Sequence, residues 1–526
     1  MNDTALQALL AALLQPSAYD HPVGPIDVME THISYVLLTG DYAYKIKKPL
    51  DLGFLDFSTL EKRRFFCAEE VRLNRRLAPE IYLDVVAISG SPEHPAVNGT
   101  GPVLEYAVKM RQFPQDALLD RVLARGGLSP AHVDLLADEI AAFHEKVPHA
   151  PQDSPFGTPE NVYQPARQNF QQIRPLLEDE ADARRLQAID HWTEKEYEAG
   201  EAAFAARKRE GFVRECHGDL HLGNMALLDG RITLFDCIEF NPNLRWIDVM
   251  SEAAFLVMDL HARAREDYAR RFLNAYLQRT GDYAGLGVFR FYLAYRAMVR
   301  AKVTCIRAAQ LGLDAGQKNR ALGQYRDYAA LAEQFTAARK CALILTHGLS
   351  GSGKTTLTQP LLETIGAVRL RSDVERKRLF NLPPLARSAS GVGTGLYTED
   401  AGARTYERLA ELARTVLRAG YPAIVDATFL QRARRNAFRR LAGQLGVPFA
   451  ILDFRTSEDE LRRRIAERQR QTQDASEADL AVLRHQIDTR QPLAPEELDA
   501  VIAVDTERAG GMERAQTAVG GLLAPC

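Results

Sequence analysis

Residues 348–355 read Gly-Leu-Ser-Gly-Ser-Gly-Lys-Thr, directly after the apolar run 341–347, CALILTH, and before the helical stretch TTLTQPLLETI. The spacing G-x-x-x-x-G-K-[ST] between a strand and a helix is that of a phosphate-binding loop. Glycines let backbone N–H groups converge on phosphate oxygens, and the helix N-terminus adds its partial positive charge. On this reading Gly348, Ser350, Gly351, Ser352, Gly353, Lys354, Thr355 and Thr356 contact a nucleotide. Lys354 reaches the β- and γ-phosphates, and the Thr355 hydroxyl serves a Mg²⁺ ion. A chance glycine-rich turn is the alternative, and the flanking strand and helix count against it.

Outward from this loop, short apolar runs alternate with helical patterns. ALILTH, the segment around Val368–Leu370, AIVDA, FAILDF and VIAV are the predicted strands of a parallel sheet covered on both faces. Asp373 follows the second strand at the end of the sheet where ligands gather, so it is a candidate base for an acceptor hydroxyl. An N-cap aspartate for the next helix is the equal alternative. Asp426 ends the strand AIVDA, where a carboxylate could orient Mg²⁺ or its waters; a strand-end turn residue is the plainer reading. Among three arginine-rich segments, Arg464 and Arg468 stand four apart and share a helix face. Such a pair can neutralise charge that develops on a transferring phosphoryl group. Most of the other arginines read as solvated helix surface. The tracts lack interleaved aromatics, so nucleic acid is not favoured as a partner.

Before residue 340 the pattern differs. HISYVLL and YAYKIKK read as strands about a turn at Thr39–Asp41, and a helix begins at Ser58, which has capping-box spacing to Glu61. Further strands fall at 81–89 and 102–113, and beyond about 115 the chain is mostly helical. Residues 217–224, His-Gly-Asp-Leu-His-Leu-Gly-Asn, fit H-x-D-x-x-x-x-N. Asp219 then accepts an acceptor hydroxyl proton, and Asn224 reaches a metal. A hairpin turning at Asp229-Gly230 returns the chain to Asp236, a carboxylate placed to bind Mg²⁺. Lys45 is the candidate phosphate-pairing lysine, with Lys47 on the same strand face as its competitor. Glu70 is its candidate partner, because it lies on an apolar helix face where a lone carboxylate needs a cation. Glu69 has arginines beside it instead. His144 reads as a packed core residue, His217 as a support for the loop backbone, and Asp248 as a structural brace of that loop.

GLSGSGKTT, RSDVERKR, IVDATF and RRRIAER resemble the P-loop kinases that include gluconate kinases, polynucleotide 5′-hydroxyl kinases and zeta toxins. HGDLHLGN and FDCIEF resemble the aminoglycoside phosphotransferase and choline kinase group, in which residue 29–34, METHIS, stands without glycine where a glycine-rich loop is usual. The two in this order look like the bacterial proteins described as bifunctional aminoglycoside phosphotransferase/ATP-binding proteins. The resemblance implies an α+β, protein-kinase-like two-lobed domain at 1–337, with a small lobe at about 20–114 and a helical lobe at about 115–337. An α/β P-loop NTPase domain with a parallel sheet follows at 338–526. It further implies ATP and Mg²⁺, transfer of a γ-phosphoryl group at each of two sites, and small-molecule hydroxyl acceptors. For the second half it implies Asp373 as base and Arg464 and Arg468 as lid arginines; Tyr397 and Thr398 fall where an acceptor could bind. The alternative is a regulatory first half controlling a polynucleotide- or nucleotide-sugar-type kinase.

Size and composition agree with two domains. The chain has 526 residues, whereas single cores rarely grow past ~250–300 residues. Lys+Arg (66) nearly balance Asp+Glu (69), so no global field points to nucleic acid or an anionic membrane. The six cysteines, Cys67, Cys216, Cys237, Cys305, Cys341 and Cys526, form no C-x-x-C pair, which is poor material for a zinc site or a disulfide framework. The apolar stretch Ala5–Leu14 lacks a basic start and reads as a surface helix ended by Pro16 rather than a leader. With no run of about 18 apolar residues, a cytoplasmic protein without membrane contact is expected.

Overall fold

The computed structural model describes residues 3–525 apart from 54, 311–313, 339, 385, 387, 389–393, 471–475 and 509, and describes no side chains at 3–4, 468–470 and 524–525. The chain divides into two compact units: Met1–Leu135, Ala142–Asn169 and Glu201–Asp259 form the first, and Leu136–Ala141, Phe170–Gly200 and Leu260–Cys526 form the second.

The first unit opens with α1 (Asp3–Ala12) and carries strands β1 (Asp27–Glu30), β2 (Ser34–Leu38) and β3 (Tyr42–Lys47). Helix α2 (Leu60–Asn74) and strands β4 (Tyr82–Ser91), β5 (His94–Val97) and β6 (Val103–Arg111) follow. The six strands form one sheet in the order β1-β2-β3-β6-β4-β5, with every pairing antiparallel. Leu9 and Leu13 of the first helical segment pack with Leu37, Tyr44, Ile46 and Val86 in the core. That four-residue spacing gives α1 a buried stripe, so it is not the plain surface helix its composition suggested. Helix α2 is capped by Thr59, whose hydroxyl accepts from the Lys62 N–H; Ser58 instead donates to Asp56. The capping-box spacing was therefore one residue out of register. Helix α3 (Pro130–Lys146) does start on a true capping box, at Ser129 and His132. Strands β7 (Met225–Leu228) and β8 (Arg231–Leu234) pair antiparallel about Asp229 and Gly230, both at positive φ, as a tight hairpin turn demands. Helix α4 (Val249–Ala262) follows.

In the second unit α5 (Glu266–Thr280) precedes β9 (Leu343–His347), α6 (Lys354–Ile365), β10 (Val368–Arg371) and α7 (Ser372–Leu379). Then come α8 (Glu399–Arg418), β11 (Ala423–Asp426), β12 (Phe449–Arg455), α9 (Glu458–Arg470), α10 (Leu480–Thr489) and β13 (Val501–Asp505). The five strands run parallel in the order β10-β11-β9-β12-β13. Their near-continuous apolar burial is what a sheet covered on both faces requires. At the β10 edge, Asn274 of α5 donates to the Ala367 carbonyl at 2.9 Å and accepts from the Arg369 N–H at 2.8 Å. One side-chain amide thus supplies the hydrogen bonds that a further strand would make.

Among the arginines of the second unit that are not solvated, Arg435 is fully buried and grips Glu497 with two bonds of 2.7 and 2.8 Å. Cys341 is disulfide-bonded, while Cys67, Cys216, Cys237 and Cys305 are free. Among the described residues no helix is long and apolar enough to cross a membrane.

Candidate active sites

In the first unit β3 and α2 bring together the groups that matter. Lys45 Nζ lies 2.7 Å from Glu70 Oε1 and 2.6 Å from Asp236 Oδ1. Burial opposes the charge on Lys45, but Asp236 and Glu70 outweigh it and hold its pKa well above the ordinary value. For Glu70, burial works to raise the pKa and the two lysines bring it down to about 2. Glu69 pairs with Arg72 at 2.8 Å. Lys47 is buried behind the site, bonded to Glu70 Oε2 at 2.6 Å and to Glu239. The strand periodicity could not separate the two lysines; the difference lies in what each meets across the sheet.

Lys45, Asn224 and Asp236 line a cavity of about 230 Å³ whose walls include Val36, Ala43, Met110, Phe113 and Phe235. Such a flat apolar slot ending in a lysine and a carboxylate suits a base at one end and phosphates at the other. Asn224 donates to the Asp219 carboxylate at 3.1 Å and to its carbonyl at 3.0 Å. Asp236 sits at φ 65°, uncommon for a residue with a side chain, and its N–H donates to the Tyr82 hydroxyl. Gly218 adopts φ 92°, and a Cβ there would meet the Leu244 carbonyl at 2.8 Å. Its N–H donates to Glu252, which also bonds His144 at 2.8 Å. Asp259 accepts from the Leu222 N–H, and the His217 ring meets the Phe235 carbonyl at 2.8 Å. Glu252 and Asp259 therefore brace the loop. Asp248 instead pairs with Arg207 and caps α4 through the Met250 N–H. Both bracing acids escaped the sequence reading because they lie on a helix far along the chain with no motif spacing. At residues 29–34 the Thr31 hydroxyl and N–H are bonded to Ser34, so the turn closes on itself.

In the second unit the 348–355 loop joins β9 to α6. Gly348 has φ 142°, and a Cβ would meet the Phe454 carbonyl at 2.8 Å, so only glycine passes there without displacement. Lys354 is buried and donates to the Gly348 and Leu349 carbonyls at 2.9 and 2.7 Å. Thr355 donates to Asp426 at 2.7 Å, which brings a hydroxyl from the first turn of α6 and a carboxylate from the end of β11 to one point. Asp373 is the second residue of α7 rather than its cap, which is Arg371, and it accepts from Arg376 at 3.1 Å. The Arg376 guanidinium lies 5.0 Å from the Tyr397 ring centroid, and Thr398 caps α8. Arg464 bonds Glu460 at 2.6 Å and Thr506 at 3.2 Å. The Arg468 side chain lies outside the described residues.

Three residues here had no signal in the sequence. Gln486 accepts from the Ser350 N–H at 2.9 Å and donates to its hydroxyl at 3.0 Å. Arg490 lines a cavity of about 200 Å³ with Gly348, Leu349 and Ser352. Arg369 is buried and donates to the Thr355 carbonyl at 2.6 Å. Loss of water drives its pKa down to about 10, against the pull of Asp426.

Known proteins match the chain in two stretches. The phosphotransferase enzyme family matches residues 67–289, and an AAA domain family matches 343–493. An uncharacterized protein of Mycobacterium tuberculosis is 32% identical over 489 residues, covering 90% of this chain and 94% of its own; one of Mycobacterium bovis matches equally. The chain belongs to their family. It has a kinase-like phosphotransferase domain followed by a P-loop kinase domain, the order the sequence motifs suggested. A structure of a putative aminoglycoside phosphotransferase from Ralstonia eutropha covers 64% of this chain and 98% of its own, at 15% identity and a TM-score of 0.36. A sugar kinase from Janibacter covers 35% and 95%, at 19% identity and 0.28, and a gluconokinase from Sinorhizobium meliloti 34% and 96%, at 19% and 0.24.

Proposed function

We propose that this protein is an ATP-dependent phosphotransferase with two nucleotide sites, each transferring a γ-phosphoryl group to a hydroxyl of a small molecule. The observation that carries this reading is Lys45 between Glu70 and Asp236 at the mouth of an apolar cavity, matched in the second unit by Thr355 bonded to Asp426 beside Lys354. In the first site Lys45 binds phosphate oxygens and Asp219 takes the acceptor proton. In the second, Lys354 leaves its carbonyl partners for phosphate, Asp373 takes the proton, and Arg490 and Arg464 supply positive charge around the loop. The donor sets fit Mg²⁺: Asn224 with Asp236, and Thr355 with Asp426, are hard oxygen ligands. When bound, the ion screens the charge between β- and γ-phosphate oxygens.

The test uses the full chain with labelled ATP and a panel of hydroxyl compounds. Asp219→Ala and Lys354→Ala should each abolish transfer to a different set of acceptors. A single set lost only with Lys354→Ala would leave the first unit without transfer. That outcome belongs to a second reading, a regulatory first unit, which is favoured by one observation: the self-bonded turn at Thr31–Ser34 offers no glycine loop for phosphates. Activity on 5′-hydroxyl oligonucleotides with steep salt dependence would instead mark a nucleic-acid acceptor.

A further inference from the structure

Glu70 serves two lysines at once. Lys45 takes one carboxylate oxygen at 2.7 Å and Lys47 the other at 2.6 Å. Lys47 and Glu239, 0% and 4% exposed at the side chain, form their own ion pair, and neither lines the cavity that Lys45 faces. The Lys47 ammonium also lies 4.8 Å from the Phe57 ring centroid, on its apolar side. Glu239 is only three residues beyond Asp236, and its carbonyl is held by Arg245 at 3.0 Å. The same segment is gripped a second time from α2, where Asn74 accepts from the Cys237 N–H at 2.9 Å.

The charges explain why a second pair is needed. Lys45 has Asp236 as its second carboxylate, whereas the fully buried Lys47, sharing Glu70, needs another anion of its own away from water. Glu239 supplies that anion, and Lys47 so held anchors the second oxygen of Glu70, leaving the first turned to Lys45. The Lys45–Glu70–Lys47–Glu239 chain thereby joins β3, α2 and the segment after Asp236 in one buried array.

We propose that Lys47 and Glu239 are positioning residues for the first nucleotide site: acting through Glu70, they hold Lys45 at the phosphate end of the cavity. The proposal rests on the phosphotransfer reading of that unit. The pair makes no contact with substrate.

The test variant is Lys47→Met/Glu239→Gln, which removes both charges together and leaves neither one orphaned. It is made in the full chain with Lys354→Ala, so that ATP binding reports the first site. Two readouts are taken beside the melting temperature: the ATP dissociation constant, and the rate at which an amine-acylating reagent labels Lys45. The expected result is an unchanged melting temperature, a dissociation constant raised at least tenfold, and labelling at least tenfold faster. A purely structural pair would leave both readouts at parent values once the fold is intact, and that result overturns the proposal. If the double variant does not fold, Glu239→Asp keeps the charge and withdraws the carboxylate by one methylene. It should accelerate Lys45 labelling at least threefold, and an unchanged rate overturns the proposal equally. Labelling needs no nucleotide, so a parent that binds no ATP at this site defeats the phosphotransfer reading while labelling still decides the positioning role.

Discussion

Lys354, Thr355 and Asp219 each carry a separable consequence. Lys354 is buried on two loop carbonyls, so Lys354→Ala should remove nucleotide binding in the second unit, measured by calorimetry, while leaving the first unit's binding intact. Thr355→Ala takes away one partner of Asp426; the second unit's transfer should then need several-fold more Mg²⁺ for half-maximal rate, read from a metal titration. Asp219→Ala should lower the first unit's transfer by about 10²–10⁴-fold, the usual scale for a lost general base, with ATP affinity unchanged. The sequence singles these three residues out because their motifs have fixed spacing, and their roles rest on the measurements above. Lys45 is favoured over Lys47 by its resemblance to a kinase A-x-K, Ala43-Tyr44-Lys45, but its bond to Asp236, 191 residues away, leaves no local signal. Gln486 and Arg490 approach the phosphate loop from a helix that has no motif, and local pattern carries no trace of that approach.

At the scale of elements, most strands and the Asp229-Gly230 hairpin were legible because their periods are short and their turn residues specific, while the short strand β5 was not. Helix starts were less so: two adjacent hydroxyl residues, Ser58 and Thr59, both suit a cap, and the side chain that reaches the Lys62 N–H is Thr59. Thr59→Ala should accordingly destabilise the first unit by about 1 kcal/mol in denaturant melts, and Ser58→Ala by much less. A pH effect belongs to α4. Burial drives the pKa of His261 down to about 4, with Arg270 adding to the shift and Glu266 opposing it. The unfolded histidine takes up its proton near pH 6.5, so stability is full above that value and falls as pH drops towards 4. The loss is about 2–3 kcal/mol for one such group. Denaturant melts at pH 7.5 and 4.5 should show it, and His261→Gln should flatten that slope.

For the whole molecule, the two proposed phosphate-handling sites are compatible with a chain whose charges nearly cancel overall. Basic residues at each loop face carboxylates within the same site, Lys45 against Glu70 and Asp236, Arg464 against Glu460. The acceptors were not legible, because the side chains that would shape an acceptor pocket follow no fixed spacing. The division into two nucleotide sites is the claim on which the rest depends. Equilibrium binding of ATP to the full chain with Mg²⁺ tests it most directly. The account predicts two sites per chain, one in Lys354→Ala, one in Lys45→Ala, and none when both are changed. A single site in the parent that Lys45→Ala leaves untouched would contradict it.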